Sequence, residues 1–375
     1  MKRRKAGPPS ASSIRKAGDE ALSKLLAEAL VMEGSTDRAT HMFHAYPARM
    51  HPDAAALIID ACPGPVHDPF CGGGTVLVES RLAGRESSGT DLSPIALLVS
   101  HARTVDKSLT TPMRSAARKI AAKAQLRIDV EVPEGLERWY QPHVAQELGR
   151  IRDEIPEYDE AVQPLLRALF SSIIVKASFR KSDTINRRET HHRAPGTTAI
   201  LFHKKARELG RALDQMAEGP QPVIQAGDAR FDAPEKDRGL ILTSPPYPGV
   251  YDYLPMQQLR TAWLNIDMGT GLPAEVGSRR SFRALGRKDA LQQWRKDTHR
   301  WIGTQAGALA PGGRMVIVVG DGLVGDRMVD ALSPTVESLR DAGLNIVARA
   351  SADRPDHARG AIRIEHMVMA ERSQT

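Results

Sequence analysis

From residue 50 to residue 105 the apolar positions change period several times. DAAALIIDAC carries them at helical spacing, PVHDPF is a short β-like run, CGGG is a turn, and TVLVESRLAG is again amphipathic. ESSGTDL and SPIALLVSHAR then repeat the strand-to-helix order. Alternation of this kind predicts consecutive βα units and a parallel sheet. The pattern resumes with PVIQAGDAR and GLILTSPPY, a helix around Gln257 to Leu264, a long helix around Ala290 to Ala310 and a strand over Arg314 to Val319. A helix around Arg327 to Ala342 and strands near Leu344 to Ala350 and Ile362 to Met369 complete it.

Between these halves, residues 108–218 read as mostly helical, in TTPMRSAARKIAAKAQ, PHVAQELGRIRDEI, EAVQPLLRALFSSIIVKAS and TTAILFHKKARELGRALDQM. So long a segment exceeds an ordinary sheet connection and predicts an inserted subdomain. Its centre, FRKSDTINRRETHHRAPG, is polar and reads as a loop. Residues 1–18 contain Pro, Gly, Ser and basic residues with almost no apolar side chains, which predicts a disordered arm, and helical spacing begins at 20–32.

Charge changes the picture more than composition does. The 375-residue chain carries a net charge of +7, and ten basic residues against three acids between Lys176 and Arg211 account for all of it. Such a cluster points to a polyanionic partner. Cys62 and Cys71 are too few for a disulfide framework or a four-ligand zinc site, and no 18-residue apolar run is present. The expected compartment is the reducing cytoplasm. His191 and His192 lack spaced Cys or Asp partners, so no metal is expected.

Asp68-Pro69-Phe70-Cys71-Gly72-Gly73-Gly74-Thr75 lies between a strand and a helix, where open α/β sheets bind nucleotide-like ligands. Glycines let the backbone turn sharply and approach a ligand, and the helix starting near Thr75 offers free N–H groups to a carboxylate. Asp91 ends the next strand, where a carboxylate can accept ribose hydroxyls. Asp228, in AGDAR, ends the following one, where it can accept from an adenine amino group. Taken singly, each acid also suits a helix N-cap.

The fourth motif, Ser244-Pro245-Pro246-Tyr247, stops an apolar strand abruptly. The Ser hydroxyl and the Pro245 carbonyl can each accept one N–H of an exocyclic amine, and the prolines fix φ without adding donors. Tyr247 offers an aromatic face to an unstacked base. Methylation of a base carbon requires a cysteine nucleophile in this strand-end loop, and neither cysteine is there.

The series DPF-x-G-x-G-T, G-x-D-x-x-P, GDAR and SPPY resembles that of S-adenosylmethionine-dependent amino-methyltransferases acting on nucleic-acid bases. HAYPARMHP, residues 44–52, resembles the segment those enzymes place just before the glycine motif. The resemblance covers roughly residues 41–105 and 222–370 and implies a Rossmann-like class I methyltransferase. Its mostly parallel seven-stranded sheet would have helices on both faces, with the catalytic domain formed by 19–107 and 219–375 and the insertion by 108–218. It also implies that Tyr46, Pro47, Phe70, Gly72 and Gly74 line the methionine side of S-adenosylmethionine, with Asp68 and Thr75 in the same motif, Asp91 at the ribose and Asp228 at the adenine. Ser-Pro-Pro-Tyr is more typical of cytosine N4 methylation in DNA. Adenine N6 or an RNA amine is the alternative, and a catalytically silent nucleic-acid-binding protein is a reading of another class.

Arg180, Lys181, Arg187, Arg188 and Arg193, with Arg279 and Arg280 in a loop over 271–288, are the expected phosphate contacts. Related enzymes place their target-recognition segment elsewhere, so an insert between Asp91 and Asp228 departs from the pattern.

Overall fold

The computed structural model describes residues 14–34, 37–47, 49–126, 128–185, 187–269, 271–324, 327–356 and 361–374. Its strands are β1 (Arg15–Gly18), β2 (Val66–Asp68), β3 (Ser87–Asp91), β4 (Val223–Ala226), β5 (Arg238–Thr243), β6 (Leu309–Gly320), β7 (Gly322–Val324), β8 (Arg327–Val329), β9 (Leu344–Asp356) and β10 (Ala361–Arg372). Eight of them form one sheet in the order β1-β9-β10-β6-β5-β2-β3-β4, and β7 pairs with β8 in a separate hairpin. β2 pairs in parallel with both β3 and β5, so the chain winds outward in both directions from β2. That reversal marks the switch point of a doubly wound sheet. β10 is antiparallel to both β6 and β9.

Strand side chains alternate between faces, and two cores follow from this. Leu240, Leu242, Val316, Val318, Met367 and Met369 face α1 (Glu20–Leu30) and α2 (Pro52–Ala61). Ile241, Met315, Ile317, Val319, Val368 and Ala370 face the opposite way. α3 (Thr75–Leu82) and α4 (Pro94–Thr104) follow β2 and β3. Both faces being covered explains why β5 is a continuous apolar run.

The segment between α4 and β4 contains α5 (Thr110–Lys123), α6 (Pro142–Glu154), α7 (Gln163–Ala177) and α8 (Thr197–Asp214). After β5 come α9 (Tyr253–Met256), α10 (Gln258–Leu264), α11 (Gly271–Ala274), α12 (Arg279–Ala284) and α13 (Gly286–Ala306), with α14 (Leu332–Asp341) before β9. α13 and α14 cover the second sheet face. A third core joins α5 to α8 with Ile95, Val99 and Ala102 of α4 and Trp263 of α10. The inserted helices therefore share their packing with the helix layer beside β3. Among the described residues, no helix is long and apolar enough to cross a membrane.

Three sequence expectations are corrected. Of the arm expected over residues 1–18, 1–13 lie outside the described residues, but Arg15–Gly18 forms an eighth strand on β9. Its side chains are exposed, and main-chain pairing holds it together with an ion pair from Arg15 to Asp353 of β9 at 2.9 Å. Gly18 sits at φ +94, where a Cβ would lie 2.3 Å from the Val347 carbonyl oxygen. The helix expected from Arg327 begins only at Leu332, because the β7–β8 hairpin intervenes, and Asp321 Oδ1 accepts from the Ala331 N–H at 3.0 Å. The loop expected over 271–288 contains α11 and α12.

Candidate active site

The C-terminal ends of β2, β3 and β5 place Asp68, Asp91 and Thr243 side by side at the switch point. The cleft above them is lined by Tyr46, Pro47, Asp68, Phe70, Gly72, Thr75, Asp91, Ser244 and Pro246, nine of the residues singled out in the sequence. Gly73 and Cys71 also line it, so the glycine turn and the diproline corner share one cavity.

Asp68 is buried and accepts from the Thr243 hydroxyl at 2.7 Å and the Phe70 N–H at 3.1 Å. Burial pushes its pKa up to about 7, against the pull of those bonds. Asp91 accepts from Gly72 N–H and Ser93 N–H, both at 2.8 Å, tying the glycine turn to β3. Burial raises its pKa to about 6. Each Asp91 oxygen has one such partner and retains acceptor capacity toward the cleft.

Gly72 at φ +49 lies against the Tyr46 ring, 3.3 Å from where a Cβ would stand. A Cβ on Gly73 would approach Arg103 Nη1 to 2.8 Å. Gly74 does not line the cleft. It N-caps α3 at φ +77, with Ser100 Cα 2.9 Å from its ideal Cβ, so its role is close helix packing. The Thr75 hydroxyl is buried without a hydrogen-bond partner among the described residues, at a helix start that has no side-chain cap.

Asp228 is also displaced from its expected place. Gly227 and Ala229 line the cleft, while the Asp228 carboxylate accepts three charged bonds from the Arg230 guanidinium, the shortest at 2.7 Å. Pro245 is buried behind Ser244. Tyr247 faces the neighbouring recess, where its hydroxyl donates to Glu365 Oε1 at 2.8 Å. That recess, about 620 Å³, meets the first cleft at Ser244, Tyr253, Arg49 and Met50. Tyr251 and Tyr253 are walls of it.

Several of the expected phosphate contacts are engaged internally. Arg180 is buried and donates to the Met256 and Asp183 carbonyls at 3.0 and 2.8 Å. Arg279 donates to the Val250 carbonyl, and Arg280 to Glu275 at 3.0 Å. Arg193 donates to the Lys176 carbonyl. Lys181 and Arg187 share Glu189 at 2.7 and 2.8 Å, and the Arg188 guanidinium lies 4.8 Å from the Phe179 ring centre. Lys181, Arg187 and Arg188 are nonetheless exposed.

Sequence reasoning missed the support beneath the site. Arg103, fully buried, donates to the carbonyls of Gly73 at 2.5 Å, His44 at 2.8 Å and His41 at 3.1 Å. It thereby clamps the segment containing Tyr46 and Pro47 onto the glycine turn. Glu79 holds the same segment through His41 at 2.6 Å and Arg38 at 2.7 Å. The available signal was a charge on the inward face of an apolar helix. Glu275, at the opposite rim, accepts from Tyr253 N–H.

An adenosyl cofactor fits this donor set. A half-buried carboxylate ends β3, aromatic and proline walls flank a glycine turn, and a hydroxyl without a partner among the described residues stands at a helix N-terminus. The cleft is narrow, about 100 Å³, below the roughly 300–1,000 Å³ of common small-molecule sites.

The strand order and the site at the switch point define a Rossmann-like, class I methyltransferase fold. No protein-family model matches the sequence. The type II methyltransferase M.MvaI of Kocuria varians is 23% identical over 270 residues, which cover 62% of this chain and 59% of that protein. The chain thus spans somewhat over half the length of this curated relative. A SAM-dependent methyltransferase from Methanosarcina mazei aligns with 83% of this chain and 93% of its own, at 9% identity and a TM-score of 0.34. The rRNA methyltransferase AviRa of Streptomyces viridochromogenes aligns with 92% of this chain and 94% of its own, at 12% identity and a TM-score of 0.34.

Proposed function

We propose that this chain is a methyltransferase that uses S-adenosylmethionine to methylate an exocyclic amine of a DNA base, with cytosine N4 as the target atom. The observation that carries this reading is Ser244, which lines both the glycine-walled cleft and the aromatic recess of Tyr247, Tyr251 and Tyr253. A base in that recess presents its amine at the boundary between the two.

When bound, S-adenosylmethionine supplies an electrophilic methyl group. Asp91 holds the ribose hydroxyls, Tyr46, Pro47 and Phe70 exclude water, and the Thr75 hydroxyl with the start of α3 receives the carboxylate. The amine lone pair is delocalised into the base, so it must be localised before it can attack. The Ser244 hydroxyl and the Pro245 carbonyl accept the two N–H bonds and orient it, and the rigid diproline holds both acceptors in place. The proton released on transfer leaves through Ser244 or to solvent. Such a site works by alignment and electrostatics.

Both cysteines are buried, and neither follows β5. Burial also pushes the Cys71 thiol well up, which keeps it protonated. This supports nitrogen rather than carbon methylation. The choice of cytosine N4 rests on the resemblance of Ser244-Pro245-Pro246-Tyr247 to that enzyme type, and the choice of DNA rests on the same resemblance and on the overlap with the Kocuria protein.

The test is incubation of DNA and RNA with labelled S-adenosylmethionine, followed by digestion and mass spectrometry of the nucleosides. N4-methylcytidine in its deoxy form is the expected product. A methyl group on a base carbon, or none on either polymer, would overturn the reading.

A further inference from the structure

A third recess, about 690 Å³, opens between the inserted helices and the His41–Arg49 segment, and it shares Tyr46, Pro47 and Arg49 with the cofactor cleft. Seven arginines and lysines line it against two carboxylates. Both carboxylates are already engaged, Asp183 by Arg260 and Glu189 by Lys181 and Arg187. The recess is therefore cationic, with Arg49, Lys176 and Arg193 contributing from separate elements, while Lys205 is paired with Glu208 at 2.8 Å.

Polar atoms around it also lack partners. His44 is 2% exposed and uses Nε2 on the Ser171 hydroxyl at 3.0 Å, while its Nδ1 has no hydrogen-bond partner among the described residues. The same holds for Arg180 Nε, His191 Nε2 and Arg193 Nε, all buried atoms of residues lining this recess. Buried polar atoms are ordinarily satisfied, and several orphans around one cavity point to a polar occupant. Burial alone pushes the Arg49 and Arg193 guanidinium pKa values down, as expected of cations held away from water.

We infer that this recess binds the sugar-phosphate backbone of the strand carrying the target base, at the nucleotide next to the methylated one. The inference rests on the proposed methyltransferase function and assigns the site that positions its substrate. The occupant must be anionic to match the lining, must carry several acceptors to satisfy its donors, and must be continuous with a base beside Ser244. Arg49 borders all three cavities, so a strand crossing from this recess to the aromatic one passes over it. A phosphodiester chain meets these conditions.

Lys176→Gln and Lys181→Gln remove exposed charges, and Arg340→Gln, an exposed residue on α14, is the control. Binding of a labelled oligonucleotide is followed across a salt series, with cofactor affinity measured by calorimetry and methyl transfer assayed on the same oligonucleotide. Each recess substitution should lower the slope of log affinity against log salt by about 0.7 on a single strand or about 0.9 on a duplex. Cofactor affinity should stay unchanged and Arg340→Gln should have no effect. Slopes equal to the unsubstituted protein, or an equal loss in the control, overturn the inference. So does a mononucleotide that saturates the recess without displacing the oligonucleotide. Transfer with unchanged slopes would refute the recess alone, and lowered slopes without transfer would refute the methyltransferase reading alone.

Discussion

Asp91→Ala separates the assigned cofactor site from a merely structural carboxylate. The substitution removes the acceptor of two backbone N–H bonds, from Gly72 and Ser93 at 2.8 Å each, together with the oxygens assigned to the ribose. A hydrogen bond to a charged group contributes about 1.5–3 kcal/mol. Part of the loss is regained because water from the cleft can reach the freed N–H groups, so a net loss of about 1–3 kcal/mol is expected, or about fivefold to 150-fold in cofactor affinity.

Calorimetric titration with S-adenosylmethionine measures this loss, and thermal unfolding of the same sample reports whether the glycine turn survives. Wild-type affinity in a folded Asp91→Ala protein would refute the ribose assignment. The pH dependence supplies a second readout. With the Asp91 pKa raised to about 6, the ionised acceptor is lost as pH falls below that value, so affinity should fall about tenfold per unit there and level off above it. Stability of the unliganded protein runs the opposite way. The folded pKa lies above the unfolded value, so the contribution of Asp91 is present below about pH 4 and is lost as pH rises through about 6.

Ser244→Ala should abolish methyl transfer while calorimetric cofactor affinity stays within a few-fold of wild type, and retained turnover would count against the assigned acceptor. Arg103→Met should cost at least about 2 kcal/mol in denaturant unfolding, because the Gly73, His41 and His44 carbonyls are each deprived of a charged donor. Unchanged stability would mean that the clamp contributes nothing. Reversing charge at Arg187 and Arg188 should weaken DNA binding and lower its salt slope by about 1 for each phosphate no longer neutralised, and an unaltered slope would remove this exposed loop from the interface.

Residue pattern alone determined the alternation of strands and helices, the helical character of the insertion and the meeting of glycine turn, Asp91 and Ser244 at one sheet edge. These depend on the side-chain period within each element and on the rule that parallel strands expose their C-terminal ends together. The tertiary structure alone decided features that lack a local signature. Arg15–Gly18 became a strand because β9 presents an edge to pair with and Asp353 on it meets Arg15, neither of which its own apolar pattern records. Arg103 and Glu79 became supports because three segments distant in sequence converge on them. Asp228 turned from the cleft because Arg230, two residues later, also reaches Asp297 at 2.9 Å and holds the carboxylate there. Most of the basic side chains expected at phosphates are partly tied up by internal partners. A basic run records charge, but which guanidinium groups fold inward depends on carbonyls and carboxylates that only packing brings near.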